Sequence, residues 1–172
     1  MFQMKTLLFA LLALTAASSL ARDGWKAAAS KVNITPEELG WMAGYAARKA
    51  PAESVLMDLH AKALALEDES GGRFVFITLD LIGVPKPLRE KIEKLAAEKH
   101  GLKPEQILLN ASHTHSGPTI RLYRPNGGKG EPRLGYHNVP EEDQPLRVRQ
   151  IQEYSAFLHQ KIDEAIGQAL EN

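Results

Sequence analysis

Residues 73–81 constrain the fold most strongly, because this stretch is apolar on both faces of an extended chain. Its apolar members include Phe74, Val75, Phe76, Ile77 and Leu79. Such a dense β-branched and aromatic run is typical of a strand that is covered on both sides of a sheet. Residues 59–66 alternate toward their end, and the turn sequence Ser70-Gly71-Gly72 lies between the two runs. We therefore predict a β-hairpin whose second strand lies inside a sheet.

Two amphipathic segments and a further strand follow the hairpin. In residues 87–100 the apolar side chains recur at helical spacing, with Pro87 near the first turn and Gly101 just past the end, so we predict a helix here. Residues 106–110 form a short apolar run, which indicates a strand. Residues 147–170 carry the single apolar stripe of a long helix.

The order of these elements indicates the fold class. A short edge strand or extended entry segment at residues 31–34 precedes the hairpin. The order that follows, strand-strand-helix-strand-helix, is typical of an α/β protein with a mixed β-sheet and flanking helices. The length of 172 residues and the apolar content of 44% suit one globular domain at most.

A stretch rich in Gly and Pro, residues 121–145, separates the last strand from the last helix. Connections of this length are uncommon in compact domains unless they are lids, binding loops or disordered insertions. The sequence leaves open whether this stretch shapes a site or is a loosely held insertion.

The amino terminus has the pattern of a secretory signal peptide. Lys5 precedes an apolar run at residues 7–17, and the small residues Ser19 and Ala21 match the spacing that signal peptidase requires. The run is too short to span a bilayer. We expect cleavage after Ala21, so that residues 1–21 are the signal and residues 22–172 form a protein located in a periplasm or outside the cell.

Composition excludes several classes of function. Lys plus Arg and Asp plus Glu are equal in number, at 21 each, so the chain has no basic footprint for nucleic acid or for an anionic membrane surface. There is no Cys, which excludes disulfide frameworks and thiolate chemistry. Any metal must be held by His, by carboxylates or by Tyr oxygen.

Two of the six histidines fall in one tetrapeptide, Ser112-His113-Thr114-His115, directly after the strand predicted at residues 106–110. Ligands in open α/β sheets bind at the carboxyl ends of strands. In an extended backbone, side chains at positions i and i+2 point to the same side, so His113 and His115 are expected to face one cleft. Imidazole is a common zinc ligand. Metal binding or catalysis is therefore one interpretation, and a pair of strand-end histidines with backbone partners is the other.

The other candidate residues carry weaker signals. His60 lies in the first hairpin strand and faces either the site or the sheet surface, whereas His100 and His159 are expected to be solvated on helices. Asp80 ends the strongest strand, where a carboxylate orients a ligand or accepts hydrogen bonds in a turn. His137 lies in the long Gly- and Pro-rich stretch and is left unassigned.

Residues 41–45 place aromatic and apolar side chains around Gly44. A glycine at this point lets the backbone come very close to another group, including a ligand. Ordinary packing is the alternative interpretation of the segment.

Four motifs in order resemble the amino-terminal part of the neutral/alkaline non-lysosomal ceramidase family. The motifs are Asn33-Ile34-Thr35-Pro36, Met42-Ala43-Gly44-Tyr45, Thr78-Leu79-Asp80 and Ser112-His113-Thr114-His115-Ser116-Gly117-Pro118. The resemblance extends from about residue 31 to residue 170, and the last motif is its most diagnostic part.

The resemblance implies a zinc-dependent amidase that hydrolyses the N-acyl bond of ceramide to sphingosine and a fatty acid. By this similarity His113 is a metal ligand, His115 is a catalytic residue that contacts the substrate, and Gly44 is a substrate-binding residue that lines the pocket. The implied chemistry is metal-assisted hydrolysis, in which zinc activates a water molecule for attack on the amide carbonyl.

The resemblance also implies parts that these 172 residues do not supply. The family's second His, Glu and Tyr zinc ligands, and an active-site Arg, cannot be placed here, and Thr119-Ile120 replaces the family's Gly-Gly. We therefore expect an incomplete portion of a larger catalytic domain, from a truncated reading frame, that binds zinc weakly and has no amidase activity alone.

Two other functions are considered. One is a non-catalytic secreted module that binds a lipid or a metal, with Trp41, Met42 and Tyr45 as the lipid contacts. The other is a metal-dependent phosphoesterase or other hydrolase that uses the two histidines, and it needs carboxylates near them. Asp80 is the only good candidate, so this function is the least favoured.

Overall fold

The described part of the chain forms a four-stranded sheet with two long helices. A computed structural model describes residues 24–45, 47–124, 129–134 and 139–171, so the expected signal segment and His137 lie outside the described residues. The elements in chain order are β1 (Lys26–Asn33), β2 (His60–Glu67), β3 (Arg73–Leu79), α1 (Lys86–His100), β4 (Ile107–Ala111) and α2 (Gln144–Glu171).

The sheet is mixed, as predicted, with the strand order β1-β2-β3-β4. Strands β1, β2 and β3 pair antiparallel, and β3 pairs parallel with β4 through the crossover that contains α1. The hairpin, the central position of β3, the helix ending at Gly101 and the long final helix are all confirmed. Gly101 adopts a φ of 66° and its N–H donates to the Ala96 carbonyl, which ends α1.

Strand β1 is an edge strand, as expected, but it begins at Lys26, five residues before the predicted start. The missed part contains Ala27, Ala28 and Ala29, whose small side chains carry no alternating pattern. Small residues suit this position because α2 packs closely against β1, and the Ser30 hydroxyl donates to the Ala165 carbonyl at 2.6 Å.

Both helices cover the same face of the sheet. The core between them joins β-branched and small residues of the strands to Leu and Ile side chains of α1 and α2; its fully buried members include Ala61, Val75, Ile77, Leu79, Ile92, Ala96, Leu158, Ile162 and Ile166. The opposite face is apolar and partly exposed, with Leu64, Phe76 and Leu108 at 38–41% exposure. Strand β3 was expected to be covered on both faces. Within the described part of the chain, the helices cover only one of them.

Polar contacts fix the two helices. The buried Tyr154 hydroxyl of α2 donates to the Ile34 carbonyl at 2.7 Å. His100 was expected to be solvated, but its Nε2 lies 3.0 Å from the Asp163 carboxylate of α2, and its side chain is 18% exposed. The expectation was wrong because the last turn of α1 packs against α2. His159 is likewise half-buried, and desolvation followed by the nearby Lys91 charge lowers its pKa.

The described parts of residues 121–145 are packed against the domain. Tyr123 and Arg133 exchange two backbone hydrogen bonds of 2.8 Å, which pair the two arms of the loop. Leu134 is buried in a second small core with Trp41, Val139 and Ile151. These parts are therefore held by an apolar cluster, and the packing interpretation of Trp41 is confirmed.

None of the described helices is long and apolar enough to cross a bilayer.

Candidate active site

The histidine motif lies at the carboxyl edge of the parallel strand pair. Strand β3 ends at Leu79 and leads into Ile82, whereas β4 ends at Ala111 and leads into His113. Because β3 and β4 run parallel, both exits lie at the same edge of the sheet. Ser112 continues the pairing by donating its N–H to the Leu79 carbonyl at 3.0 Å. The edge therefore holds the histidines directly beside the segment that follows β3.

The backbone at the motif is not extended. His113 adopts a left-handed conformation with a φ of 59°, which is uncommon for a residue other than Gly. The expected reason for the two imidazoles to face one side was therefore wrong. They nevertheless meet, with Nε2 atoms 3.4 Å apart and ring centroids 5.1 Å apart. Left-handed geometry at a non-glycine residue carries strain, and such strain is concentrated at functional sites.

A main-chain carbonyl fixes the tautomer of His113. Its Nδ1 lies 2.7 Å from the Ile82 carbonyl oxygen. A carbonyl only accepts hydrogen bonds, so Nδ1 must carry the proton. In the neutral ring Nε2 then has no proton and carries a free electron pair, which is the form that binds a metal. The His113 side chain is exposed, and its ring lines a cavity.

His115 is bound differently. Its ring is half-buried, and its Nδ1 is inaccessible to solvent and has no hydrogen-bond partner. The Tyr45 ring contacts it edge-on, with centroids 4.6 Å apart. An orphaned buried N–H is costlier than a poorly satisfied acceptor, so the surroundings favour a ring with bare Nδ1 and protonated Nε2. The Nε2–H then points toward His113.

Gly44 makes room for the His115 ring. It has a φ of 75°, and a Cβ at this position would lie 2.5 Å from His115 Nδ1 and 2.6 Å from Cγ. The close approach expected for Gly44 is therefore present, and the group it approaches is an imidazole. Gly44 also lines the same cavity as His113.

The cavity beside the histidines has a volume of about 580 Å³. Its lining is mainly apolar, with one cation and a few polar groups: Ala43, Gly44, Ile82, Gly83, Val84, Pro85, His113, Thr119, Ile120, Arg121, Tyr123 and Leu134. A concave apolar site with few converging polar groups is typical of small-molecule binding. The Gly- and Pro-rich stretch supplies Tyr123 and Leu134, so this stretch helps to shape the site.

Asp80 and His60 do not join the two histidines. The Asp80 carboxylate accepts the His60 backbone N–H at 3.0 Å and lies 3.3 Å from the Lys62 ammonium. His60 Nδ1 is 3.9 Å from the same carboxylate. Asp80 thus accepts a hydrogen bond at a strand end, and the Ile82 carbonyl takes the orienting role at His113. Because the described residues place no carboxylate with the two histidines, the phosphoesterase alternative loses its support.

Sequence reasoning missed two elements of the site. The Ile82 carbonyl was invisible because every residue has one, and only the fold brings it to His113. Arg48 lies in none of the motifs and was not considered, yet its guanidinium donates to the His115 carbonyl at 2.6 Å and to the Gly44 carbonyl at 3.2 Å.

The donor set is that of part of a metal site. A distance of about 3.4 Å is also the separation expected for two nitrogen ligands of one tetrahedral zinc. However, the described residues contain no group of three or more His, Asp or Glu placed to hold a metal ion. Catalytic zinc usually has three protein ligands. His113, with its bare Nε2, therefore fits one ligand position of such a site. His115 fits a second position only when its proton lies on Nδ1, and the described residues place no further ligand beside the pair.

Two curated proteins are similar to this chain in sequence. Neutral ceramidase from Drosophila pseudoobscura pseudoobscura is 28% identical over 118 residues, which cover 66% of this chain and 17% of that protein. The neutral ceramidase of Drosophila melanogaster is 26% identical over 118 residues, which again cover 66% of this chain and 17% of that protein. The chain thus spans about a sixth of the length of these relatives.

Solved structures show the same fold. The crystal structure of neutral ceramidase from Pseudomonas aeruginosa matches with a TM-score of 0.63 and 22% identity, over 87% of this chain and 22% of that chain. A structure of a ceramidase complexed with C2 matches with a TM-score of 0.61 and 22% identity, over 87% and 21%. The family model for the amino-terminal region of neutral/alkaline non-lysosomal ceramidases matches residues 26–123, more than half of the chain. The chain therefore belongs to the neutral/alkaline non-lysosomal ceramidase family and corresponds to its amino-terminal part.

Proposed function

We propose that this chain is the histidine-bearing portion of a secreted zinc-dependent amidohydrolase that cleaves the N-acyl bond of ceramide or a related lipid. The observation that carries the proposal is the meeting of two Nε2 atoms, 3.4 Å apart, with the His113 ring on the wall of a largely apolar cavity. Membership of the ceramidase family supplies the reaction class.

The two histidines have different roles in this proposal. His113 binds the metal through Nε2, because the Ile82 carbonyl holds the proton on its Nδ1. His115 is the catalytic donor, whose Nε2–H binds an oxygen of the substrate near the scissile bond. When bound, zinc supplies Lewis acidity and an activated water for hydrolysis of the amide.

The remaining surroundings suit an acyl amide. Gly44 allows the backbone to lie against His115 and forms part of the wall that contacts the substrate. Ile82, Val84 and Ile120 offer an apolar surface for a hydrocarbon chain, and they also keep water away from the amide.

The isolated chain is proposed to be inactive. One imidazole ligand, or two if His115 also binds the metal, does not hold a catalytic zinc, and the described residues offer no further ligand at the site. The missing ligands belong to the larger catalytic domain of which residues 22–172 are a part. The metal site is therefore complete only with polypeptide beyond these residues.

Zinc titration by calorimetry tests the metal role. We expect weak binding that falls at least about tenfold in His113→Ala. The matched control is His60→Ala, which removes a histidine that lies outside the cavity lining and is held beside Asp80. Unchanged binding in His113→Ala contradicts the proposal. Zinc retained at one equivalent through dialysis, together with ceramide turnover that His113→Ala abolishes, contradicts the inactivity of the isolated chain.

Export is part of the same proposal. The sequence of residues 1–21 supports cleavage after Ala21 and delivery to a periplasm or the outside of the cell. Intact-mass measurement of the protein made in a secreting host tests this, with Arg22 expected as the first residue. A mature protein that retains Met1 contradicts it.

A lipid-binding module without catalysis is the second candidate. A groove of about 550 Å³ is lined by Thr114, Ser116 and Pro118 and by the strongly exposed Leu56 and Met57. The lipid contacts expected at residues 41–45 need one correction, because Trp41 is buried and Tyr45 is exposed. Flotation with phosphatidylcholine vesicles that contain ceramide separates the candidates. Binding lost in Leu56→Asp and kept in His113→Ala favours the module.

A further inference from the structure

We propose that Arg48 is a positioning residue that sets the orientation of the His115 imidazole. This inference rests on the proposed catalytic role of His115 and adds to it a residue that nothing in the family resemblance singled out. The guanidinium joins two segments that are far apart in sequence, the loop around Gly44 and the histidine motif.

Arg48 makes its hydrogen bonds to main-chain carbonyl groups next to the His115 ring. Its terminal nitrogen donates to the His115 carbonyl at 2.6 Å, and its Nε donates to the Gly44 carbonyl at 3.2 Å. The Arg48 backbone N–H donates to the Tyr45 carbonyl at 3.0 Å, which closes a turn. Hydrogen bonds from a charged donor are stronger than neutral ones. One side chain thus joins the Gly44 segment, which contacts the His115 ring, to the backbone of His115 itself.

Arg48 also supports the ring that packs against His115. Its guanidinium carbon lies 5.3 Å from the centroid of the Tyr45 ring, within cation–π range. The Tyr45 ring in turn meets the His115 ring edge-on at 4.6 Å. A chain of contacts therefore runs from the guanidinium through Tyr45 to the imidazole, beside the direct bond to the His115 carbonyl.

His115 needs such support because few hydrogen bonds fix the orientation of its ring. Its Nδ1 has no hydrogen-bond partner, and its Nε2 contacts His113 at 3.4 Å. Backbone hydrogen bonds already join the two segments further along, from Ala43 to Gly117 and from Thr119 to Trp41, at 2.9 Å each. Arg48 adds a link next to the imidazole itself, so a change there is expected to reorient the ring without unfolding the sheet.

The planar fork of Arg is the feature that this role requires. A guanidinium presents donors in fixed directions, whereas a Lys ammonium is a compact point charge on a flexible stem. Arg48→Lys therefore keeps the charge but does not reproduce the paired bonds to Gly44 and His115. Arg48→Met removes both the charge and the donors and retains an apolar stem.

The test is the tautomeric state of His115 in the metal-free chain, measured by long-range ¹H–¹⁵N correlation of the imidazole. The original chain is expected to show one tautomer with protonated Nε2. Both Arg48→Met and Arg48→Lys are expected to lose it and show averaged ring signals, with the dispersed backbone spectrum of a folded protein. Lys49→Met is the matched control, since it removes an exposed cation at the next position; we expect the original spectrum.

Three results overturn the proposal. The first is an unchanged His115 tautomer in Arg48→Met, and the second is full recovery in Arg48→Lys, which would assign the effect to charge alone. The third is loss of the folded spectrum in both variants, which would make Arg48 a residue of fold stability. The readout needs neither metal nor substrate, so its failure is distinguishable from a failed zinc titration of His113→Ala.

Discussion

Replacing Gly44 with Ala tests whether the glycine provides space for the His115 imidazole. The added Cβ would lie 2.5 Å from His115 Nδ1, whereas ordinary contacts lie at about 3.5 Å, so the ring must move by about 1 Å. Two costs arise. The left-handed φ of 75° costs a non-glycine residue roughly 1–2 kcal/mol. The steric conflict adds roughly 1–3 kcal/mol, the usual cost of overpacking.

Other glycines of the chain separate these two costs. Gly71→Ala is the control for the backbone term, because Gly71 has a φ of 81° and nothing lies within 4 Å of the position that its added Cβ would take. Gly83→Ala is the control that carries neither cost. Gly83 lines the same cavity, does not have a left-handed φ, and has open space at the position of an added Cβ. We expect Gly83→Ala to be near neutral, Gly71→Ala to cost roughly 1–2 kcal/mol, and Gly44→Ala to cost roughly 1–3 kcal/mol more.

Thermal unfolding followed by circular dichroism measures the three variants. For a domain of this size each kcal/mol lowers Tm by about 2–4 °C. Nuclear Overhauser contacts between the Tyr45 and His115 rings, which lie 4.6 Å apart, report the position of the imidazole. We expect Gly44→Ala to weaken these contacts. Equal Tm values for Gly44→Ala and Gly71→Ala, with unchanged ring contacts, would refute the reasoning.

The buried Tyr154 and the half-buried His159 of α2 give three further predictions. Tyr154→Phe removes the hydroxyl that donates to the Ile34 carbonyl and is expected to lower the free energy of unfolding in urea by roughly 1–3 kcal/mol. An unchanged free energy of unfolding would contradict this prediction. Burial raises the Tyr154 pKa, so the tyrosine contributes stability that is complete below its ordinary pKa of 10.0 and is lost as the pH rises beyond it. Tyr154→Phe should therefore lose less stability at alkaline pH. Equal slopes of the unfolding free energy against pH in the two proteins would contradict this prediction. Desolvation lowers the His159 pKa, so the unfolded chain binds a proton more readily, and stability should fall as the pH drops below 6.5; His159→Gln should reduce that fall, measured by urea unfolding between about pH 8 and pH 5.

The sequence predicted the elements whose patterns are strong. The apolar run of β3, the Gly-containing hairpin turn and the helical spacing of α1 each encode one structure locally, and all three were confirmed. The start of β1 was missed because an Ala-rich strand has no alternation to detect. Its strand geometry comes from pairing with β2 and from packing under α2.

The site was predictable in its residue types and not in its geometry. Two scarce histidines in one tetrapeptide pointed to the place, yet the left-handed backbone at His113 depends on tertiary contacts that no short pattern encodes. The Ile82 carbonyl and the Arg48 fork likewise arise only when β3, β4 and the loop at Gly44 come together. The solvation expected for His100 failed for the same reason, since its Asp163 partner is 63 residues away.

The central claim is that His113 offers an unprotonated Nε2 as a metal ligand because the Ile82 carbonyl holds the proton on Nδ1. Long-range ¹H–¹⁵N correlation of the His113 ring during a zinc titration tests it most directly. We predict the Nδ1–H tautomer before zinc is added and a shift of the Nε2 signal that saturates with zinc. A protonated Nε2 in the metal-free chain, or an Nε2 signal that zinc leaves unmoved, would contradict the account.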